Sequence, residues 1–95
     1  MTVWKNCVLK SVTKSTNDKF EMPCEVSIEA GSIVISYKDD AGPAVYRGQE
    51  LEPGHFTLAC PERAGRATAN LINGERLEGF AHDEEGPGTF TIDLE

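Results

Sequence analysis

Apolar and polar positions alternate along most of this chain. Phe20, Met22, Cys24, Val26 and Ile28 are spaced by Glu21, Pro23, Glu25 and Ser27, and Phe90, Ile92 and Leu94 by Thr91 and Asp93. A period of two puts every second side chain on one face of an extended strand, so such runs predict half-buried β-strands. The pattern predicts eight strands. The first six cover residues 2–13, 20–29, 33–38, 44–48, 55–60 and 66–73, and two more follow Asn73-Gly74 and the run 84–88.

Turn chemistry falls between the runs. Asn73-Gly74 between apolar-alternating segments is the strongest short-range hairpin signal. Glu84-Glu85-Gly86-Pro87-Gly88, Asp39-Asp40-Ala41-Gly42-Pro43 and residues 15–18 and 29–32 mark further turns, and a longer connection, residues 49–54, holds Pro53-Gly54. No segment keeps a helical period. The nearest, residues 61–70, has a Pro-Glu start and alanines enough for one helical turn, which Gly65 and the threonine discourage from growing.

Two strands break the simple alternation. The first carries apolar residues on both faces, Val3, Cys7 and Leu9 against Trp4, Val8 and Val12, which predicts a bulge near Asn6 or a strand shared by two surfaces. Pro23 cannot donate a ladder hydrogen bond, so its end of the second strand is expected at an edge or a bulge. Short strands in sequence joined by short turns form a meander. The expected fold class is all-β, a single antiparallel domain over residues 1–95, arranged as a small barrel of about eight strands, with a two-layer sandwich as the alternative. Ala67, Ala69, Gly79 and Ala81 set against Phe56, Phe90 and Ile92 fit the small-and-large alternation that fills a tapering barrel.

The closing segment, LEGFAHDEEGPGTFTIDL, resembles the last hairpin of small uncharacterised bacterial β-proteins of calycin-like barrel style. These end in a Leu-x-Gly-aromatic strand, an acidic glycine-containing turn and a Gly-x-aromatic-x-Ile-x-Leu strand. Leu77, Gly79, Phe80, Gly88, Phe90, Ile92 and Leu94 carry the resemblance, about a fifth of the chain. It implies a fold and a bacterial source, and no activity.

The formal charge is −7, and residues 48–95 carry all of it. An acidic chain repels phosphate backbones, so neither nucleic acid nor an anionic membrane is an expected partner. No run approaches the roughly 18 apolar residues of a bilayer span, and no signal-peptide pattern opens the chain, so a cytoplasmic location is expected. Cys7, Cys24 and Cys60 are odd in number and in phase with apolar residues, as reduced thiols acting as small hydrophobes would be.

Chemistry-bearing motifs are scarce. Cys60 with His55 or His82 could make a nucleophile–base pair, but no motif brings them together, so no catalytic residue and no enzymatic activity is expected. The Cys and His spacing fits no compact zinc site, and the acidic turns lack EF-hand spacing, so no metal or cofactor is expected. Two binding expectations remain. Trp4 and Phe80 fall out of phase with their strands' apolar set and suggest an outward patch through which the protein self-associates as a homodimer. The other is a small-molecule pocket lined by Tyr37, Tyr46, Arg47 and His55. The leading expectation is a non-enzymatic binding or interaction module that self-associates. A small-molecule carrier is the alternative, and a Cys/His enzyme the least favoured.

Overall fold

Eight strands follow one another around a closed antiparallel barrel in a computed structural model that describes residues 2–14, 16–40, 42–84 and 86–94. They are β1 (Thr2–Thr13), β2 (Lys19–Glu29), β3 (Ser32–Asp39), β4 (Gly42–Glu52), β5 (His55–Cys60), β6 (Gly65–Ile72), β7 (Arg76–Asp83) and β8 (Gly86–Asp93). Pairing of β1 with β8, from Val8↔Asp93 to Thr13↔Gly88, closes the barrel. The sandwich is thereby excluded. No helix among the described residues is long and apolar enough to cross a membrane.

The alternation selects the inner face. Cys24, Val26, Ile33, Ile35, Ala44, Tyr46, Phe56, Leu58, Leu77, Phe90 and Ile92 are buried and form the core with Cys7, Leu9 and Cys60. All three cysteines are free thiols inside it. One row around the wall shows how the interior is filled: Phe56 pairs with Ala69, Ala69 with Gly79 and Gly79 with Phe90. Two aromatic rings thus face the interior across an alanine and a glycine, as the small-and-large pattern predicts. Gly79 also lets the sheet curl. A Cβ there would lie 1.8 Å from the Thr68 carbonyl oxygen.

Where the alternation breaks, the wall breaks too. The register of β1 against β2 shifts between Trp4↔Val26 and Cys7↔Cys24, one extra residue on β1. This bulge reverses the phase, so Trp4 turns inward and packs, half-buried, against the core. The outward placement expected of Trp4 is therefore corrected. Phe80, with no bulge in β7, remains on the outer surface at 59% exposure. Pro23 pairs with Val8 of β1, but the β2–β3 ladder begins only at Cys24↔Tyr37. Residues 19–23 overhang the wall there, and the missing proline N–H falls where no β3 ladder is formed.

The connections correct one boundary. Residues 49–52 extend β4 rather than forming a loop, because Gln49 pairs with both Ser32 and Thr57. A second bulge, between Glu50 and Glu52, leaves Leu51 exposed. Residues 61–63 form one 3-10 turn, and Ala64 ends it in the left-handed region, its N–H on the Pro61 carbonyl at 3.1 Å. Asn73 (φ 53°) and Gly74 (φ 70°) make the tight hairpin with Glu75 N–H on Ile72 O at 3.0 Å, as their sequence predicts.

Candidate functional site at the hydroxyl-lined end of the barrel

The C-terminal ends of β1, β3, β5 and β7 and the N-terminal ends of β2, β4, β6 and β8 share one end of the barrel. A recess of about 90 Å³ lies inside it, lined by residues of seven strands. Its buried walls are apolar: Leu9, Ile35, Leu58, Ala67, Phe90 and Ile92. Ser11, Tyr37, Tyr46 and Asp83 bring oxygen to it. The lining residues that keep some solvent exposure, Ser11, Tyr37, Ala81 and Asp83, all lie toward this end, so the recess opens there.

Register brings the two tyrosines together. Ile35 pairs with Tyr46 and Tyr37 with Ala44, which makes the tyrosines diagonal neighbours on the inner face. Their rings stack with centroids 6.4 Å apart and 15° between planes. The Tyr46 hydroxyl rests against Gly65, where a Cβ would come within 2.4 Å of it. Burial raises both phenols above the usual tyrosine range. Asp83 adds to the rise in each, and the nearby Arg63 opposes it.

Arg63 braces the rim. The 3-10 turn after β5 carries it back over the barrel end, where Nη1 donates to Asp39 Oδ2 at 2.6 Å and Nη2 to Asp39 Oδ1 at 2.8 Å. Nη2 also donates to the Gly42 carbonyl at 2.8 Å. The guanidinium stands 6.0 Å from the Tyr37 ring centre. Such a two-pronged pair fixes geometry as well as charge, and the Asp39 hydrogen bond holds the Arg63 proton more firmly than usual. Glu84 N–H donates to Arg63 O at 3.3 Å, and Lys14 N–H to Pro87 O at 3.1 Å. These bonds tie together the four connections at this end.

Tyr37 and Tyr46 from the expected pocket therefore line the recess, and Arg47 and His55 do not. Arg47 follows Tyr46 and so points outward, exposed. His55 starts β5 at the opposite end, on the outer face, with its Nδ1 against the Asn70 side-chain oxygen. The same alternation separates His55 from Cys60, which is buried at the other end of β5 with its thiol on Glu62 at 3.6 Å. His82 is exposed on the outer surface. The sequence did not assign Ser11, Asp83 or the Arg63–Asp39 pair to this pocket. Ser11 is in phase with Cys7 and Leu9, and Asp83 with Leu77 and Ala81, so a polar residue at the inward phase of a strand end was the available signal. Nothing local in sequence joins Asp39 to Arg63.

Cys24 lies opposite Cys7 on the inner face. Burial pushes its thiol up to about 12, and the neighbouring Cys7 adds to the shift. Among the described residues no group of three or more His, Cys, Asp or Glu is placed to hold a metal ion. No protein-family model, curated protein or solved structure matches the chain.

Proposed function

We propose that the protein is a non-enzymatic binding module whose site is the recess at the hydroxyl-lined end. The observation that carries this reading is the convergence of Ser11, Tyr37, Tyr46 and Asp83 on an otherwise apolar recess that reaches solvent. Apolar concavity with a few convergent polar groups is the common form of small-ligand sites. A drug-sized ligand needs about 300–1,000 Å³, so a recess of about 90 Å³ takes only a very small molecule. The test is an amide-resolved NMR titration with a set of small organic fragments. Saturable shifts clustered at Ala81, Phe90 and Ile35 are expected. They should vanish in Ala81→Leu, which adds three carbons to the lining. Shifts scattered over the outer surface, or unchanged by Ala81→Leu, would refute the reading.

Self-association is a second reading, favoured by one observation: Phe80 is largely exposed on the outer surface, with the Lys14 ammonium 5.1 Å from its ring centre. Its support is narrower than the sequence suggested, because Trp4 packs against the core instead of beside Phe80. Sedimentation velocity at micromolar concentration tests it. A homodimer that Phe80→Ala converts to monomer supports the reading, and a monomeric wild-type protein ends it.

A further inference from the structure

The lining of the recess narrows what it takes. Its volume sets the size. An apolar cavity of about 150 Å³ holds one benzene, roughly 25 Å³ for each heavy atom, so 90 Å³ admits a chain of about three carbons. The distribution of polarity sets the direction. The deep walls, Leu9, Ile35, Leu58, Phe90 and Ile92, are buried carbon, whereas Ser11, Tyr37 and Asp83 stand toward the solvent-reached rim. A ligand of matching polarity enters alkyl end first and leaves its polar group at the rim. The hydroxyls of Ser11 and Tyr37 and the carboxylate of Asp83 bring oxygen acceptors to that rim.

Charge sets the sign. Arg63 is held by both oxygens of Asp39. The Asp83 carboxylate lies in the lining itself and acts on both phenols. Asp18, Asp40, Glu62 and Glu84 are exposed at the same end against Lys14, Lys19 and Lys38, which leaves an excess of acid there in a chain of net charge −7. A cation is attracted to this rim and an anion repelled.

We infer that the recess takes a short aliphatic primary amine, bound alkyl end first, with its ammonium at the rim between Asp83 and the hydroxyls of Ser11 and Tyr37. This rests on the recess being a binding site. An ammonium offers three donors and no acceptor, which matches a rim of hydroxyl and carboxylate oxygens. The direction of entry separates a free amine from a lysine side chain, whose alkyl part is tethered at the inner end and would have to enter ammonium first.

The experiment is an NMR titration of the whole chain at neutral pH and fixed ionic strength with three three-carbon probes: propylammonium, 1-propanol and propionate. The four heavy atoms of the amine limit its affinity to a Kd no tighter than about 0.04 mM, so the probes are taken to tens of millimolar. Propylammonium is expected to saturate shifts at Ala81 and Phe90. 1-Propanol should bind at least about tenfold more weakly, and propionate not at all. Asp83→Asn should bring the amine down to the level of the alcohol. Should that variant not fold, added sodium chloride gives the same information on the wild type, weakening the amine and sparing the alcohol. Equal binding of amine and alcohol, or preferred binding of propionate, overturns the amine assignment and leaves the recess as a binding site. Silence at these residues with all three probes overturns both.

Discussion

Gly79→Ala tests how the barrel closes. Gly79 faces the interior between Ala69 and Phe90, and its backbone is not in the left-handed region. The cost of a methyl there is therefore steric. The new Cβ would sit 1.8 Å from the Thr68 carbonyl oxygen, 2.8 Å from its carbon and 3.0 Å from the Ala69 Cα. All three are backbone atoms, so no side chain can rotate away. Ordinary contact begins at 3.4 Å, so β6 and β7 must part by roughly 1.6 Å. That exceeds the 0.5 Å range of a good N–H···O bond, about 2.7–3.2 Å, and so weakens the ladder at this point. Overpacking costs about 1–3 kcal/mol, and each hydrogen bond lost about 0.5–1.5 kcal/mol. The stiffer unfolded chain of the alanine variant returns about 0.4–1 kcal/mol. With two ladder bonds lost the net loss is about 3 kcal/mol, and at about 4–8 °C per kcal/mol for a domain of this size the Tm falls by roughly 12–24 °C. The assay is thermal unfolding followed by circular dichroism, with Gly74→Ala as comparison. Gly74 has φ +70° and open space around its Cβ position, so that change costs only the left-handed strain of about 1–2 kcal/mol. A Gly79→Ala protein at least as stable as Gly74→Ala would refute the account of closure.

Other consequences follow from the same interior. Tyr37 and Tyr46 are the only tyrosines and Cys24 is buried beside Cys7. All three groups hold their protons more tightly folded than unfolded. For Cys24 this contribution is fully present below its unfolded value of 9.0 and is lost as pH rises through about 12; the tyrosines act in the same direction from 10.0 upward. Phenolate absorbance at 295 nm is expected to appear together with loss of the β-sheet signal, and phenolate formation well before unfolding would contradict the burial. The thiols should resist iodoacetamide at pH 8 until denaturant is added, read by intact mass, because reaction needs exposed thiolate; rapid labelling of Cys24 in the folded protein would refute this. Arg63→Ala removes the two-pronged pair with Asp39 and the bond to Gly42, and should cost about 1–2 kcal/mol in urea unfolding, since the pair is partly exposed. An unchanged midpoint would show the rim brace to be dispensable. Phe80→Ala should leave monomer stability within about 0.5 kcal/mol, whereas Trp4→Ala, which opens the core, should cost 2 kcal/mol or more on the scale of large-to-small core changes. Equal effects of the two would contradict their placement on opposite sides of the wall.

The alternation carried much of the fold. Strand order, the Asn73-Gly74 hairpin, the inward cysteines and the bulge near Asn6 were legible because each depends on a side-chain period or on turn chemistry within a few residues. Trp4 marks the limit of that reasoning. A bulge was expected, yet only its position fixed the side to which Trp4 turns, and one residue of register reverses every phase assignment beyond it. The end of β4 was hidden in the same way, because Gln49, Glu50 and Glu52 look like a loop until their pairing with β3 and β5 is seen.

The candidate site was half legible. Aromatic type singled out Tyr37 and Tyr46, and alternation alone could have set Arg47 and His55 on the outer face. Ser11, Asp83, Arg63 and Asp39 come from four different strand ends or turns, and their meeting depends on barrel closure, in which β1 pairs with β8 across the whole length of the chain. The sequence by itself determined which residues face inward along each unbroken strand, because burial follows a period of two that any extended segment obeys. Only the tertiary structure decided which inward residues share an end of the barrel and how much space they leave, because closure, curl at Gly79 and the width of the interior arise from contacts between residues far apart in the chain.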